Sequence, residues 1–272
     1  MVNAFYPGTL PEALKMLSEN RLQPYAGGSD IMLQDTHELP FLFLGEIPEL
    51  QGVREDEDNI YIGACTTFAN AVKSPLLPRI YRICISKIAS PAIRNVGTFG
   101  GNIGNGSGKA DSVLAHYVLN ASVRLQSLQG ERILPIAKLY RGRKDLDLKP
   151  EELITEIIIP KDSILENCYF EKIASRQSLA ISNITVAGSW NTTDGRITQI
   201  ALGIGAAGDT VLRCPELEAQ MIGRTSAEIA EHKEEIMRGY LERMDFPLDR
   251  TPQAYRKIVC LMIIDYLIDF AD

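Results

Sequence analysis

Two glycine-centred stretches carry the clearest chemical pattern in this sequence, "AGGSD" (residues 26–30) and "TFGGN" (residues 98–102). Each holds a glycine pair that follows an apolar residue and precedes a polar one. Glycine permits unusual backbone dihedrals, and successive backbone N–H groups in such turns form anion-binding nests. Because a hydrogen bond to a charged acceptor contributes about 1.5–3 kcal/mol, two such turns can clamp a pyrophosphate without lysine or arginine.

The second stretch continues to Asp111 and holds five glycines, but it matches neither of two common nucleotide-binding motifs. A P-loop requires G-x-x-x-x-G-K-[ST], and that pattern fails at Ile103 and Ala110. The dinucleotide pattern G-x-G-x-x-G fails at Lys109. Glycine content alone therefore leaves two interpretations open, a pyrophosphate clamp and a pair of structural turns.

Thiols and imidazoles do not cluster in the sequence, so a metal centre built by this chain is not expected. No two cysteines have the C-x-x-C spacing that is typical of zinc and iron–sulfur sites. The residues concerned are Cys65, Cys84, Cys168, Cys214, Cys260, His37, His116 and His232. We expect ordinary thiols of a reducing compartment.

Composition narrows the functional class further. The chain has 272 residues, a formal net charge of -7 and a pI near 5.2, which argues against nucleic acid as the main partner. No signal-peptide pattern opens the sequence. The longest apolar run, Lys257 to Ala271, is too short to span a bilayer and contains Asp265 and Asp269. This run predicts an amphipathic helix packed on a domain, and the alternative is a membrane-binding or partner-binding helix. We predict a cytoplasmic protein without a membrane span.

Local patterns predict the elements that would position the glycine stretches. Thr9 and Glu12 have the spacing of a capping box, and Asp111 is placed to cap the helix "DSVLAHYVLN". Hairpins are predicted to turn at Gln129-Gly130 and at Asp194-Gly195. Further strands are predicted in "RLQPY", "FLFLGEI", "NIYIGAC", "ELITEIIIP" and "CYFEKIAS", and further helices in "TTFANAVKS" and "LLPRIYRICISKIA".

The last third of the chain changes character, toward a small antiparallel sheet with a helical layer. Pro160, which ends the strand "ELITEIIIP", is the predicted domain boundary. The predicted domains are residues 1–160, with subdomains of about 1–55 and 56–160, and residues 165–272.

Five segments together resemble a known family. They are "YAGGSDIMLQ", "IGACTTFANAVKSPLL", "IASPAIRNVGTFGGNIGNGSGKADSVLAHYVLNASVRL", "ELITEIIIP" and "FEKIAS". Their order and spacing are similar to those of the FAD-binding subunits of molybdenum hydroxylases, a group that includes flavin subunits or domains of xanthine, carbon monoxide, nicotinate and aldehyde dehydrogenases. The resemblance implies an α+β fold: a two-part FAD-binding domain of the PCMH type, related to vanillyl-alcohol oxidase and MurB, followed by a small domain of antiparallel sheet and helices.

The same resemblance implies which residues contact FAD. The first pyrophosphate loop is Tyr25, Ala26, Gly27, Gly28, Ser29, Asp30 and Ile31, and the second contains Thr98, Gly100, Gly101 and Asn102. Asp111, Ile154 and Lys172 complete the implied set, and Ile88 stands where some members place an aromatic residue over the flavin. From the residues alone, the favoured interpretation of Lys172 is a solvated surface charge. No acid–base catalytic residue and no metal ligand are implied.

In this family a molybdenum cofactor on a large subunit hydroxylates the substrate, and two [2Fe–2S] clusters on a small subunit relay electrons to FAD. The resemblance therefore implies an FAD-carrying oxidoreductase subunit that passes these electrons to NAD or another acceptor. Two alternatives stay open at this point. One is a stand-alone flavin oxidoreductase of the same fold superfamily, and the other is a flavin-free scaffold subunit.

Overall fold

The computed structural model describes residues 4–33, 39–174 and 182–244. The predicted helix between Lys257 and Ala271, together with His37 and Cys260, lies outside the described residues. The strands are β1 (Ala4–Phe5), β2 (Gln23–Tyr25), β3 (Phe41–Phe43), β4 (Val53–Glu55), β5 (Asn59–Gly63), β6 (Ser122–Ser127), β7 (Gly130–Pro135), β8 (Tyr140–Gly142), β9 (Asp145–Leu146), β10 (Leu153–Pro160), β11 (Asn167–Ala174), β12 (Ser182–Thr193), β13 (Arg196–Gly205) and β14 (Leu212–Arg213). The helices are α1 (Leu10–Glu19), α2 (Phe68–Ala71), α3 (Arg79–Ser86), α4 (Pro91–Val96), α5 (Phe99–Gly104), α6 (Asp111–Val118), α7 (Ile136–Leu139), α8 (Pro215–Met221), α9 (Ser226–Glu231) and α10 (Lys233–Arg243).

The described residues form three larger sheets and one two-stranded sheet, β8-β9. A parallel sheet in the order β1-β3-β2 comes first, followed by an antiparallel sheet in the order β4-β5-β10-β6-β7. The third sheet, β11-β12-β13-β14, is also antiparallel, and α6 packs against its β12 and β13. The α+β class predicted from the sequence is confirmed. The described residues form three buried hydrophobic clusters, and the largest includes residues of both the second and the third sheet.

Both predicted hairpins form, and each turns at or next to the residues predicted from the sequence. The β12–β13 turn has positive φ at Asp194 (51°) and Gly195 (70°), which suits the short turn of a twisted hairpin. In the β6–β7 hairpin, the strand pairing nearest the turn joins Ser127 to Gly130, and Gly130 has a φ of 146°. The strand predicted at "ELITEIIIP" is confirmed as β10, which lies at the centre of the five-stranded sheet.

Two predicted helix starts were wrong in detail. Thr9 caps α1 by accepting a hydrogen bond from the Glu12 N–H, but the Glu12 carboxylate accepts from the Gly8 N–H rather than from Thr9, so the capping box is incomplete. Ala110, not Asp111, is the N-cap of α6. Asp111 is instead the first helical residue, and its carboxylate forms an ion pair with Lys172.

Candidate functional site

A cleft of about 450 Å³ is lined by residues of the first two sheets and of the segments between them. This volume lies within the range of about 300–1,000 Å³ that is typical of small-molecule and cofactor sites. Twelve of the fourteen residues that the sequence predicted to contact a cofactor line the cleft: Tyr25, Ala26, Gly27, Gly28, Ser29, Asp30, Ile31, Thr98, Gly100, Gly101, Asn102 and Ile154. Asp111 and Lys172 are not among the lining residues.

The first glycine segment forms one wall with its backbone. It leaves β2, and its five amides from Gly27 to Ile31 donate to no protein acceptor among the described residues. Gly28 has a φ of 69°, which favours glycine, and a Cβ built there would also collide with the Tyr25 hydroxyl at 2.0 Å. Consecutive unpaired amides in the wall of a cleft are donors suited to the oxygens of a pyrophosphate.

Gly27 brings the two glycine segments together. A Cβ at this position would lie 1.8 Å from the carbonyl oxygen of Val96, at the end of α4. The backbones therefore touch where any side chain would separate them. Thr98 follows Val96 by two residues, so the contact fixes the second segment opposite the first.

The second segment is a helix and not the turn that the sequence predicted. Thr98 is the N-cap of α5, and its hydroxyl accepts from the Gly101 N–H at 3.1 Å. The Gly100 N–H donates to the Ala64 carbonyl at 2.7 Å, so the prediction that this segment offers free amides was wrong for both glycines. Gly100 is tightly packed, with its Cβ position 2.6 Å from the Ala64 Cβ, whereas a Cβ at Gly101 would meet only the Thr98 hydroxyl at 2.9 Å. The segment therefore lines the cleft with Thr98 and with two glycines that have no side chains.

A third wall is fixed by Arg132, which the sequence analysis did not identify. The guanidinium on β7 binds both carboxylate oxygens of Glu152, at 2.8 and 2.9 Å, and both of Asp147, at 3.1 and 3.3 Å. Glu152 lines the cleft beside Leu153 and Ile154. Burial of the Glu152 carboxyl acts to raise its pKa, but hydrogen bonds from Arg132 and from the Lys149 N–H outweigh it and lower that pKa. No local motif announces this clamp, because it depends on how β7 and β10 are placed in the sheet.

Asp111 and Lys172 pair with each other behind the cleft. The ammonium lies 2.7 Å from the Asp111 carboxylate, and the two side chains are 9% and 6% exposed. The same ammonium donates to the Lys87 carbonyl at 3.2 Å. The interpretation of Lys172 as a solvated surface charge was therefore wrong.

Cys65 also lines the cleft, and its thiol is buried. Burial raises its pKa to about 12, so this thiol stays protonated near neutral pH and does not act as a nucleophile. Within the described residues, no group of three or more His, Cys, Asp or Glu side chains could hold a metal ion. None of the helices in the described part of the chain is long and apolar enough to cross a membrane.

Comparison with known proteins decides the family. Residues 1–162 match the family model described as the FAD binding domain in molybdopterin dehydrogenase. The chain belongs to this family. Residues 169–266 match a second model, the CO dehydrogenase flavoprotein C-terminal domain. The chain is thus an FAD-dependent oxidoreductase subunit, as the resemblance of its motifs implied.

Curated members of the family align over most of this chain. The putative xanthine dehydrogenase FAD-binding subunit of Escherichia coli (strain K12) is 30% identical over 221 residues, which cover 77% of this chain and 75% of that protein. The nicotinate dehydrogenase FAD-subunit of Eubacterium barkeri is 32% identical over 233 residues, or 80% of this chain and 79% of that one.

Solved structures show the same fold. A chain in the structure of reconstituted CO dehydrogenase from Oligotropha carboxidovorans superposes with a TM-score of 0.88 at 24% identity, over 100% of this chain and 97% of that one. A chain of quinoline 2-oxidoreductase from Pseudomonas putida 86 gives a TM-score of 0.86 at 18% identity, covering 100% and 98%. The two-part FAD-binding architecture followed by a second domain is confirmed by these matches.

The cleft fits the cofactor of this family. FAD carries a pyrophosphate, and the segment from Gly27 to Ile31 offers five amides that have no acceptor among the described residues. The close backbone contact at Gly27 holds the two glycine segments together, and Gly101 adds no side chain to the cleft that it lines. The residues present therefore suit FAD, which when bound supplies the electron-transfer chemistry.

Proposed function

We propose that this chain is the FAD-carrying electron-transfer subunit of a molybdenum hydroxylase of the xanthine dehydrogenase type. In this proposal it receives electrons from [2Fe–2S] clusters on a small partner subunit and passes them to NAD or another acceptor. The observation that carries the proposal is the arrangement of the two glycine segments in one cleft of cofactor size. The first segment offers amides without an acceptor among the described residues, and residues 98–102 face it with two glycines that have no side chains.

The residues of the chain have binding and positioning roles in this proposal. The amides from Gly27 to Ile31 hold the pyrophosphate, and Thr98, Gly101 and Asn102 close the opposite side. Ile88 and Ile154 present apolar side chains to the cleft, which exclude water and strengthen every electrostatic contact inside. The protonated Cys65 thiol adds a small apolar surface without reacting.

The partners are inferred from relatives. The curated names of relatives include FAD-binding and medium subunits or chains, so each of those proteins works with other subunits. We propose that this chain likewise joins a molybdenum-binding large subunit and a [2Fe–2S] small subunit, which hold the metal centres. A cytoplasmic location of this chain is part of the same proposal, and it stays a prediction.

We also propose a domain division at Pro160, with an FAD-binding domain at residues 1–160 and a C-terminal domain at residues 165–272. The ladder of β10 ends at Pro160, and the next sheet begins with β11 at Asn167. The two family models match on either side of this junction.

Co-expression of the full chain with candidate molybdenum-binding large and [2Fe–2S] small subunits from the same genome tests the proposal. We expect a stable ternary complex in which one FAD per chain is reduced when the substrate of the large subunit is added. A complex that forms and turns over with no flavin in this chain would identify a scaffold subunit instead. A flavin-loaded chain that oxidises a substrate without partners would identify a stand-alone oxidoreductase.

A further inference from the structure

A pair of cationic residues lies beside the cleft, in the turn of a short hairpin. Arg143 and Lys144 connect β8 to β9, and we call this pair the basic turn. The Lys144 N–H donates to the Gly106 carbonyl at 2.9 Å, and the Lys144 ammonium contacts the side-chain oxygen of Asn105. Because Asn105 lines the cleft, these contacts fix the basic turn at the rim of the proposed cofactor site.

Lys144 adopts a backbone conformation that is unusual for lysine. Its φ is 60°, in the left-handed region that turns usually fill with glycine or asparagine. A residue with a larger side chain is strained there, and strained residues of this kind concentrate at functional sites. The turn itself does not call for a lysine, so we attribute the residue to its charge.

The charges around the basic turn are unbalanced. Between residues 138 and 149 there are two acidic side chains, and these already pair with Arg132 and Arg141. Arg143 and Lys144 are exposed, and neither forms an ion pair with a carboxylate of the described residues. Lys138, in α7 before the hairpin, is exposed in the same way. This surface is therefore a local excess of positive charge on a chain whose formal net charge is -7.

The shape and composition of this surface favour a protein as its partner. Small-molecule sites are concave, whereas Arg143 and Lys144 are exposed and do not line the cleft. Nucleic acid is disfavoured by the acidic balance of the whole chain. None of the large, exposed hydrophobic side chains lies between residues 138 and 149, so the turn has no anchor for a membrane surface. Charge complementarity favours the acidic face of another protein.

We propose that the basic turn is a docking surface for the acidic face of an electron-carrier protein, which takes the electrons of the bound flavin. This inference rests on the proposed function and names the chemical class of the acceptor. A carrier that docks on the turn lies beside the cleft, and attraction to the cations raises its association rate at low salt. Each reduced FAD releases two electrons and two protons, so it reduces two one-electron carriers.

Rubredoxin, a small acidic one-electron carrier, is the probe for this surface. The full-length chain is loaded with FAD, photoreduced and mixed with oxidised rubredoxin in a stopped-flow instrument at low and at high ionic strength. The second-order rate constant should fall as salt screens the cations. Arg143→Glu and Lys144→Glu should each lower it by roughly tenfold at low salt. Calorimetric titration of the oxidised chain with oxidised rubredoxin should show weaker binding for the same two variants.

Two further variants separate docking from structure. Lys144→Gly removes the cation and also the strain, because glycine adopts this φ freely. It should have a Tm at least equal to that of the wild type, and yet transfer electrons to rubredoxin about fivefold more slowly at low salt. Lys73→Glu is the matched control, because Lys73 is also exposed and its ammonium also contacts an asparagine, Asn70, at 3.0 Å. Since Lys73 does not line the cleft, this variant should keep the wild-type rate.

The possible outcomes distinguish this inference from the proposed function. A rate that does not depend on salt, or equal rates in Lys144→Glu, Arg143→Glu and Lys73→Glu, would overturn the docking surface. Reoxidation of the flavin by NAD⁺ but not by rubredoxin would show that the acceptor is a nucleotide. Phosphatidylserine vesicles that bind the wild type, but not Lys144→Glu, would identify a membrane surface instead. If the wild-type chain binds no FAD, the proposed function fails, whereas the calorimetric titration still tests the surface.

Discussion

Substitution of Gly101 by valine tests the assignment of the second glycine segment. A Cβ at Gly101 would meet only the Thr98 hydroxyl, at 2.9 Å, and the rest of the added side chain would enter the cleft. We expect the fold to tolerate this change at a cost of about 1 kcal/mol, the usual cost of a lost helix cap, which corresponds to a fall of roughly 2–4 °C in Tm.

The effect of Gly101→Val on FAD should be much larger. The new side chain would push the pyrophosphate away from the amides of Gly27 to Ile31. Loss of two hydrogen bonds to a charged group corresponds to about 3–6 kcal/mol, or a decrease in affinity of roughly 10²- to 10⁴-fold. Purified Gly101→Val should therefore contain no flavin by absorbance, while differential scanning calorimetry shows a near-native transition.

Gly8→Ala is the matched control, because a Cβ there meets nothing nearer than the Glu12 carboxylate at 3.8 Å. This variant should keep the FAD content of the wild type. Full FAD content in Gly101→Val would refute the assignment of this segment to the cofactor site. Loss of FAD accompanied by unfolding would show instead that Gly101 serves packing.

Three further substitutions test the surrounding structure. Arg132→Met should lower the free energy of unfolding by about 3 kcal/mol, because the buried Glu152 carboxylate loses its cation and keeps only the hydrogen bond from the Lys149 N–H. It should also weaken FAD binding, and unchanged urea denaturation would contradict the clamp. Burial lowers the pKa of His116 to about 3, so the unfolded chain binds one more proton than the folded chain between that value and about pH 6.5. The free energy of unfolding therefore decreases by up to about 1.4 kcal/mol for each pH unit by which the pH is lowered across this window. His116→Phe should remove that slope from urea unfolding measured between pH 7 and pH 4.5, and an unaltered slope would contradict the buried neutral state. Gly108→Ala would place a Cβ 2.4 Å from a backbone oxygen in the loop after β13, so we expect a lower Tm than for Gly8→Ala, and equal Tm values would refute that contact.

Much of the fold was accessible from local sequence patterns. The hairpin at Asp194-Gly195 follows from two residues that tolerate positive φ, and the apolar run of β10 follows from its place at the centre of a sheet. The two glycine pairs also stand out in the sequence, and the structure brings both to the wall of one cleft. These features are encoded by neighbouring residues.

Features that depend on tertiary packing were not accessible in this way. The helix at Phe99–Gly104 forms despite three glycines because Thr98 caps it and Ala64 accepts the Gly100 amide. The glycines of the "GNGSGK" stretch make backbone contacts with distant loops: Gly106 accepts from the Lys144 N–H, and Gly108 accepts from the Ala206 N–H. Partners so far apart in sequence leave no local pattern.

The ion pair of Asp111 and Lys172 shows the same limit. The two residues are 61 positions apart, and each has an ordinary local interpretation, one as a helix cap and the other as a surface charge. Only the packing of α6 against the third sheet brings them together. Their chemistry was predicted through a family resemblance, whereas their contact with each other was not.

In the proposed function, the first glycine segment holds the pyrophosphate of FAD through its unpaired backbone amides. Titration of the full-length apoprotein with FAD, FMN and riboflavin, followed by flavin fluorescence, tests it most directly because only FAD contains a pyrophosphate. FAD should bind at least about 100-fold more tightly than FMN, because two or more additional hydrogen bonds reach its charged pyrophosphate. Equal affinity for the three flavins would contradict it.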